Sequence, residues 1–288
     1  MSMSTASEIS NITISEVKHY SQIRAVEELQ KEVWGVPDLE VVPATHLVAT
    51  REAGGVLIGA FDGETLVGFI YGFPSFERGE AAHHSHMLAV KPTYRNCDLG
   101  YRLKLAQREH VVSQGLKLIS WTFDPLQSVN AYFNFSKLGA LTDRYLANFY
   151  GEDAASFLHQ TGTDRFWVSW LVGSDRVARR IVNHNDHAII VGNPLVEIAA
   201  DESSRRNDAA ECFANKIISI EIPADINSLY QTRPEVALRW REDTRWAFTE
   251  AFNAGYVAVE FVRAKRGEQR IGTYLLSNGK LDDFARTA

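Results

Sequence analysis

The chain has 288 residues, 45% of them hydrophobic and 23% charged, and its 30 basic and 36 acidic side chains give a net charge of −6. This composition is that of a globular protein with one large domain or two ordinary ones, and it argues against nucleic acid and anionic membranes as partners. No apolar run approaches the ~18 residues that a membrane-spanning helix needs. Residues 1–10 lack the pattern of a signal peptide. Cys97 and Cys212 are too few for a disulfide framework, so we expect a cytoplasmic protein.

The first 173 residues alternate between predicted strands and helices. In chain order we predict a strand at 12–17, helices at 20–34 and 44–51, a hairpin of strands 56–61 and 65–73, a strand at 83–90, a helix at 99–113, a strand at 118–123, a helix from 124 to 138, and a strand pair near 140–145 and 165–172. Apolar residues at helical spacing, such as Ile23, Val26 and Leu29, indicate the helices. The dipeptide Asp62-Gly63 indicates the hairpin, because it supplies the positive φ angles of a tight turn. The pattern predicts an α/β or α+β fold.

The rest of the chain predicts a second, smaller α+β lobe. We predict a polar connection at 173–185, strands at 188–192, 195–199 and 217–222, an exposed charged loop at 201–211, a long helix at 234–254 and a hairpin of strands 256–263 and 270–276. The helix, glycine and hairpin of this lobe repeat the plan of residues 125–172. We therefore expect two domains, at 10–173 and 174–288.

The segment from Met87 to Leu103 carries the clearest functional pattern. It consists of a buried strand, the polar turn Arg95 to Gly100, and the first turns of an amphipathic helix. Such a turn directs backbone N–H groups and the positive end of a helix dipole into one small volume, which suits a phosphate. Arg95 adds a charge that pairs with phosphate oxygens. The alternative is an ordinary strand–helix connection in which Gly100 only marks the turn.

The order strand, Val-x-Pro, Tyr-Arg-x-x-x-x-Gly, helix resembles the acyl-CoA-binding segment of the GNAT acyltransferase superfamily, and the resemblance covers roughly residues 12–173. It implies a mixed twisted sheet flanked by helices. Because the C-terminal lobe repeats the plan of residues 125–172, we expect that lobe to be a half-sized GNAT-like unit. It further implies that CoA contacts the turn (Arg95, Asn96, Cys97, Asp98, Leu99, Gly100, Tyr101), the preceding strand (Leu88, Ala89, Val90) and the later helix (Asn130, Asn134). Two positions depart from the family pattern. Asp98 replaces its first glycine, and Phe135 replaces the tyrosine that usually protonates the departing CoA thiolate.

Two histidines precede the phosphate turn on the same strand. His84 and His86 alternate with Ser85, so both side chains should lie on one face of the strand. The spacing resembles that of arylalkylamine N-acetyltransferases, in which paired strand histidines help to remove the amine proton. Imidazole suits a general base because its ordinary pKa lies near neutrality. The alternatives are a structural pair and a metal-binding pair, and we expect no metal because acidic partners at ligand spacing are missing nearby.

These features predict an N-acyltransferase that moves an acetyl or other short acyl group directly from CoA to a small amine or amino-acid nitrogen. Acetyl-CoA or another acyl-CoA is then the co-substrate and a small-molecule amine is the partner. A homodimer is compatible with the sequence. The alternative is a non-catalytic acyl-CoA-binding or regulatory protein on the same fold, which Asp98 and Phe135 favour.

Overall fold

The computed structural model describes residues 11–95, 97–151, 162–182 and 192–285. The chain divides into two compact units, the first ending at Ser120 and the second beginning at Trp121. Within the described residues, no helix combines the length and the apolar character that crossing a membrane requires.

Unit 1 is a mixed sheet with helices on both faces. Its elements are β1 (Thr13–Glu16), α1 (Tyr20–Trp34), α2 (Ala44–Glu52), β2 (Val56–Asp62), β3 (Thr65–Glu77), β4 (Glu80–Val90), α3 (Leu99–Ser113) and the first half of β5 (Leu118–Phe123). The strands lie in the order β1-β2-β3-β4-β5. Neighbours are antiparallel except for β4 and β5, which are parallel. The predicted mixed sheet flanked by helices is confirmed.

The packing of the helices on this sheet follows from the sequence pattern. The apolar face of α1, which includes Ile23, Val26 and Leu29, is buried with Leu47 of α2 against the β3 side chain Tyr71. α3 packs on the face of the sheet opposite to α1 and α2. It contacts Ser85, and one of its side chains lies where a Cβ on Gly72 would point. Both positions alternate along their strands with Tyr71 and His84, so they belong to the other face. β4 therefore presents one set of side chains towards α1 and α2 and another towards α3.

Unit 2 contains a second sheet. Its elements are the end of β5, α4 (Ser128–Ala131) continued by a π-helix (Tyr132–Lys137), β6 (Tyr145–Leu146), β7 (Arg165–Leu171), α5 (Asp175–Val182), β8 (Asn193–Ile198), β9 (Ser204–Arg206), α6 (Ala209–Phe213), β10 (Ile217–Pro223), α7 (Ile226–Thr232), α8 (Pro234–Asn253), β11 (Tyr256–Arg266) and β12 (Gln269–Asn278). The second sheet has the order β11-β12-β10-β8-β9, and the end of β5 is followed in its own sheet by β7 and β6.

Several predicted elements of unit 2 differ from the observed ones. The helix predicted from 124 begins at Ser128 and is a π-helix over its second half. The predicted polar connection at 173–185 contains α5, and the predicted exposed loop at 201–211 contains β9 and the start of α6. The loop prediction was wrong because its charges are paired across strands and helices, as in the contact between Arg206 and Asp243. Residues 188–191 of a predicted strand lie outside the described residues.

The compact units meet at residues 120 and 121, whereas the predicted domains meet at residues 173 and 174. The segment 121–173 packs with later parts of the chain. The Phe166 ring lies 4.6 Å from that of Phe248 and 5.4 Å from that of Tyr274. Thr142 and Ala258 form a backbone bridge. These contacts join segments that are about a hundred residues apart in sequence.

Candidate active site

A β-bulge in β4 shapes the surface that carries the two histidines. In the ladder with β3, Tyr71 is opposite Met87 and Gly72 is opposite Ser85, so His86 is an extra residue without a partner in the ladder. The His84 and His86 rings nevertheless lie on the same face, with centroids 6.2 Å apart. A bulge bends the strand and re-aims its side chains. The expectation that both histidines project together agrees with this geometry.

Phe73 of β3 packs against both imidazoles. Its ring centroid lies 5.3 Å from that of His84 and 5.6 Å from that of His86. Tyr71 adds an edge contact with His86 at 6.0 Å. The two imidazoles therefore sit on an aromatic surface rather than in bulk water, which restrains their orientation and weakens the solvation of their charged forms.

His84 is suited to accept a proton at neutral pH. Its side chain is buried, and its Nδ1 atom lies 3.2 Å from the Ser120 hydroxyl on β5. Burial, helped by the positive charges of His86 and Lys104, lowers the pKa of His84 to about 4. The imidazole is therefore neutral at pH 7. When Nδ1 donates its proton to the Ser120 oxygen, Nε2 carries the lone pair that a general base needs.

His86 differs from His84 in its exposure to solvent. Partial desolvation and the nearby His46 charge lower its pKa. The lowered pKa values favour the neutral form of both histidines. His86 is more accessible to a substrate, whereas the side chain of His84 is buried and contacts Ser120.

The opposite face of β4 holds a buried polar group that sequence reasoning missed. Lys104 of α3 donates a hydrogen bond to the Ser85 hydroxyl at 2.9 Å and contacts Gln107 Oε1 at 3.4 Å. Because Gln107 accepts from lysine with its oxygen, its amide nitrogen donates to His83 Nε2 at 3.2 Å. A Cβ on Gly72 would lie 2.3 Å from His83 Nε2, so glycine is required there.

This group contains two unusual titratable side chains. Burial is the main cause that lowers the pKa of His83 to about 3, and burial lowers the pKa of Lys104 well below its ordinary value. One feature of the sequence could have indicated this buried polar group. The i, i+3 spacing of Lys104 and Gln107 places two polar residues on the face of α3 that the apolar Leu103 and Val111 also occupy.

The turn that begins at Arg95 leads directly into α3. Asp98, at the position where the family has a glycine, adopts left-handed geometry with φ 52° and ψ 14° and precedes the first turn of α3. The amides of Leu99 and Gly100 lie in that first turn, where helical geometry supplies no acceptor. Asn96 lies outside the described residues.

Gly100 leaves room above the turn. A Cβ at this position would meet only Leu88 Cδ2 at 3.7 Å, an ordinary contact, so the packing of the protein does not require glycine there. The space that a side chain would fill is therefore open to a ligand approaching the backbone. Arg95 is exposed beside it and contacts the Val90 carbonyl through Nε at 3.4 Å. The residues present fit an anionic pyrophosphate.

The remaining turn residues have defined neighbours. The Cys97 thiol donates to the Arg95 carbonyl at 3.4 Å. The Arg102 guanidinium, a candidate for a second phosphate contact, donates to the Ile12 carbonyl at 2.7 Å. Tyr101 is partly buried, and burial raises the pKa of its phenol. On β4, Leu88, Ala89 and Val90 pair with β3 along one edge.

The other candidate positions lie in unit 2. Asn130 is exposed and Asn134 is buried. Phe135 is a core residue, fully buried and in ring contact with Phe123, Phe166 and Tyr274 at 5.6 to 6.4 Å. A phenol at position 135 would therefore bring a hydroxyl into an aromatic core.

Three tyrosines are candidates to replace the missing phenol. The hydroxyl of Tyr145 donates to the Asp164 carboxylate, and burial raises the pKa of Tyr145 far above its ordinary value. That phenol is thus unsuited to give up a proton. Tyr150 is half exposed, with its hydroxyl 3.3 Å from Thr122 Oγ1, and Tyr132 lies beneath the Arg263 guanidinium.

A buried ion pair holds the end of β5. Asp124 directly follows that strand, accepts a hydrogen bond from the Leu126 amide and accepts another from Arg241 of α8 at 2.7 Å. Both charged side chains are buried. Sequence reasoning missed this pair, because nothing local connects residues so far apart in the chain.

Among the residues that the structure describes, no three histidine, cysteine or carboxylate side chains are grouped so as to hold a metal ion.

Residues 22–139 match the model of the acetyltransferase (GNAT) family. No curated protein matches the chain. Many solved structures do, among them the three that follow. A GNAT-family protein from Desulfovibrio desulfuricans is 16% identical, covering 56% of this chain and 99% of that chain with a TM-score of 0.46. The ribosomal-protein-S18-alanine N-acetyltransferase of Escherichia coli is 13% identical (56% and 94% covered, TM-score 0.44), and the aminoglycoside 6'-N-acetyltransferase of Enterococcus faecium is 20% identical (56% and 97% covered, TM-score 0.42).

Proposed function

We propose that the protein, of which residues 22–139 match the model of the acetyltransferase (GNAT) family, transfers an acetyl or other short acyl group from CoA to the nitrogen of a small amine or amino acid. The observation that carries the proposal is the neutral, positioned His84 beside His86 on the strand that leads into the left-handed turn at Asp98.

The donor is held by the turn. Arg95 pairs with the pyrophosphate, and the amides of Leu99 and Gly100 donate to its oxygens at the positive end of α3. Bound acyl-CoA supplies the activated thioester carbonyl. The backbone of β4 at Leu88 to Val90 orients pantetheine in the manner of an added strand, and an amide there stabilises the oxyanion.

The histidines serve the acceptor. The amine lone pair attacks the thioester carbon, the carbon–sulfur bond breaks, and CoA leaves as the thiolate. The proton released by the nitrogen passes to Nε2 of His84 or to His86, directly or through water. Positioning two substrates supplies most of the acceleration, and proton transfer adds ~10²–10⁴-fold.

A test of the donor site uses calorimetric titration with CoA. We expect Arg95→Ala to weaken binding by about tenfold, the loss of a charge-assisted contact. Arg239→Ala, at an exposed position on α8, is the control and should leave the affinity unchanged. Equal affinities for both variants and the parent protein would remove Arg95 from the pyrophosphate site.

The second candidate function is acyl-CoA binding without catalysis. The burial of Phe135 in the core favours it, since that position supplies no acid for the leaving thiolate. A thiol has a pKa of ~8.5, so thiolate departs without an acid, only more slowly. Binding of acetyl-CoA with no acyl transfer to any of a broad panel of amines would favour this function.

A further inference from the structure

Three cationic side chains share one face of the β11–β12 hairpin in unit 2. Arg263 and Lys265 are two residues apart on β11, so their side chains point the same way. Arg270 of β12 is directly opposite Lys265 in the ladder and joins them on that face. Like charges directly opposite each other destabilise a sheet. The hairpin thus carries an electrostatic cost that a bound anion would remove.

The cost is not relieved by acidic side chains in the structure. Among the described residues, no carboxylate lies within 4.0 Å of any of these three cations. The neighbouring Arg266 shows the contrast, because its guanidinium reaches Glu221 Oε1 at 2.5 Å. In a chain with a net charge of −6, three adjacent uncompensated cations are unexpected.

A cavity lies against this face. It has a volume of about 380 Å³, and Ser128, Val129, Ala224 and Ile271 line it together with the three cations. Cavities that bind small molecules begin at ~300 Å³. The lining combines cationic donors with small and apolar groups, which suits a compact ligand with one strongly anionic end.

Arg263 is already oriented in the cavity wall. Its Nη2 atom donates to the Ser128 carbonyl at 3.1 Å, and its guanidinium lies 4.6 Å from the centroid of the Tyr132 ring. Arg263 is exposed at the surface, and partial burial lowers its pKa. A guanidinium fixed in this way loses little freedom when it binds an oxyanion.

We propose that this cavity binds the phosphate monoester of a small phosphorylated molecule, with Arg263, Lys265 and Arg270 as its ligands. A phosphate monoester carries close to two negative charges and offers three acceptor oxygens, which match three cations better than a single carboxylate does. The cavity is lined by none of the residues of the turn at Arg95, and the proposal does not depend on acyl transfer.

The test measures the binding of inorganic phosphate and of O-phosphoethanolamine to the full chain by calorimetry. Arg270→Gln is the principal variant, because its side chain is exposed and its loss also removes the like-charge pair with Lys265. We expect it to bind both probes about tenfold more weakly and to have a higher Tm than the parent protein without phosphate. The control Arg239→Gln should change neither quantity. Binding should also weaken as salt rises.

Two variants, one in each proposed anion site, distinguish the sites experimentally. Arg270→Gln should leave CoA affinity unchanged, whereas Arg95→Ala should leave phosphate affinity unchanged. Ethanolamine, which lacks the phosphate, should not bind in the cavity. Equal phosphate affinity in Arg270→Gln and the parent protein, or no measurable phosphate binding by the parent protein, would overturn the proposal. If Arg95→Ala loses CoA binding but keeps its phosphate affinity, that result supports two independent anion sites.

Discussion

At the scale of single residues, the environment of His84 changes what the sequence suggested about pH dependence. An exposed imidazole titrates near neutrality, and activity controlled by it would rise with pH in that range. Burial in the cluster with Phe73 lowers the pKa of His84 to about 4. A base must be unprotonated to act, so the lowered pKa extends the active range towards acid and makes the base weaker.

We therefore expect kcat/KM to stay constant from neutral pH down to about 5 and to fall only below that value, with an acceptor whose amine is neutral throughout. His84→Gln should lower kcat by ~10²-fold or more and abolish this acid limb. His110→Gln, on α3 and away from the cluster, is the control. An acid limb centred near pH 6.5 that survives in His84→Gln would assign the base to another group.

Asp98 provides a second test at this scale. Left-handed geometry is sterically unfavourable for a residue with a Cβ, although it is less unfavourable for Asp than for most residues. Its carboxylate also stands in the turn assigned to the pyrophosphate. Asp98→Gly should raise stability by about 1 kcal/mol and strengthen CoA binding, more at low salt than at high salt.

Asp98→Asn separates the two effects. It removes the charge but keeps a side chain that tolerates this backbone, so CoA affinity should rise with little gain in the free energy of unfolding. Urea denaturation and calorimetry measure the two quantities. Weaker CoA binding by both variants would show that the carboxylate supports the turn rather than opposing the ligand.

At the scale of elements, α3 is amphipathic but its buried face is partly polar. Lys104 and Gln107 occupy positions that would ordinarily be apolar and connect the helix to Ser85 and His83 of β4. At a pH where the lysine is protonated in the unfolded chain, a lowered pKa in the folded state destabilises the folded protein, because folding then requires the loss of that proton. This element therefore couples stability to pH.

The sign of the coupling follows from proton binding. Between the lowered pKa of Lys104 in the folded state and ~10.4 in the unfolded chain, the unfolded state binds more protons, so the free energy of unfolding rises with pH. Lys104→Met should remove up to about 1.4 kcal/mol per pH unit of that slope within this pH window. The exposed Lys117→Met is the matched control. Identical slopes in parent and Lys104→Met, from urea denaturation, would mean that Lys104 stays charged when folded.

At the scale of the whole chain, residues 121–173 depend on residues far along the sequence. Asp124 is paired with Arg241, and the Asp164 carboxylate with Arg245 at 2.7 Å. The Phe166 ring lies among those of Phe248 and Tyr274. A chain that ends at residue 173 would remove Arg241 and Arg245 from two buried carboxylates and open an aromatic core to water.

We therefore expect a 1–173 fragment to lose protection from hydrogen exchange at residues 121–151 and 162–173. In the full chain, Arg241→Met should lower the free energy of unfolding by about 3–5 kcal/mol, the cost of leaving a buried carboxylate unpaired. The double variant Asp124→Leu/Arg241→Met should recover much of that loss. If the fragment protects 121–173 as the full chain does, the domain division predicted at residues 173 and 174 would be preferred.

Short-range sequence patterns were sufficient to predict most helices and strands of unit 1 and the direction of the two histidines of the candidate site. Helical spacing predicted Tyr20–Trp34 and Leu99–Ser113 with their observed bounds, and period-2 alternation placed the histidines on one face. These features depend on neighbours within a few residues, which the chain itself specifies. The turn at Asp98 was predictable for the same reason.

Contacts between distant residues were required for the rest. The low pKa of His84, the burial of Lys104, the core position of Phe135 and the Asp124–Arg241 pair all depend on which segments pack together. The π-helix at Tyr132–Lys137 and the pairing of charges in β9 arise in the same way. Desolvation and ion pairing are properties of a packed interior, and a periodic sequence pattern records only the direction in which each side chain points.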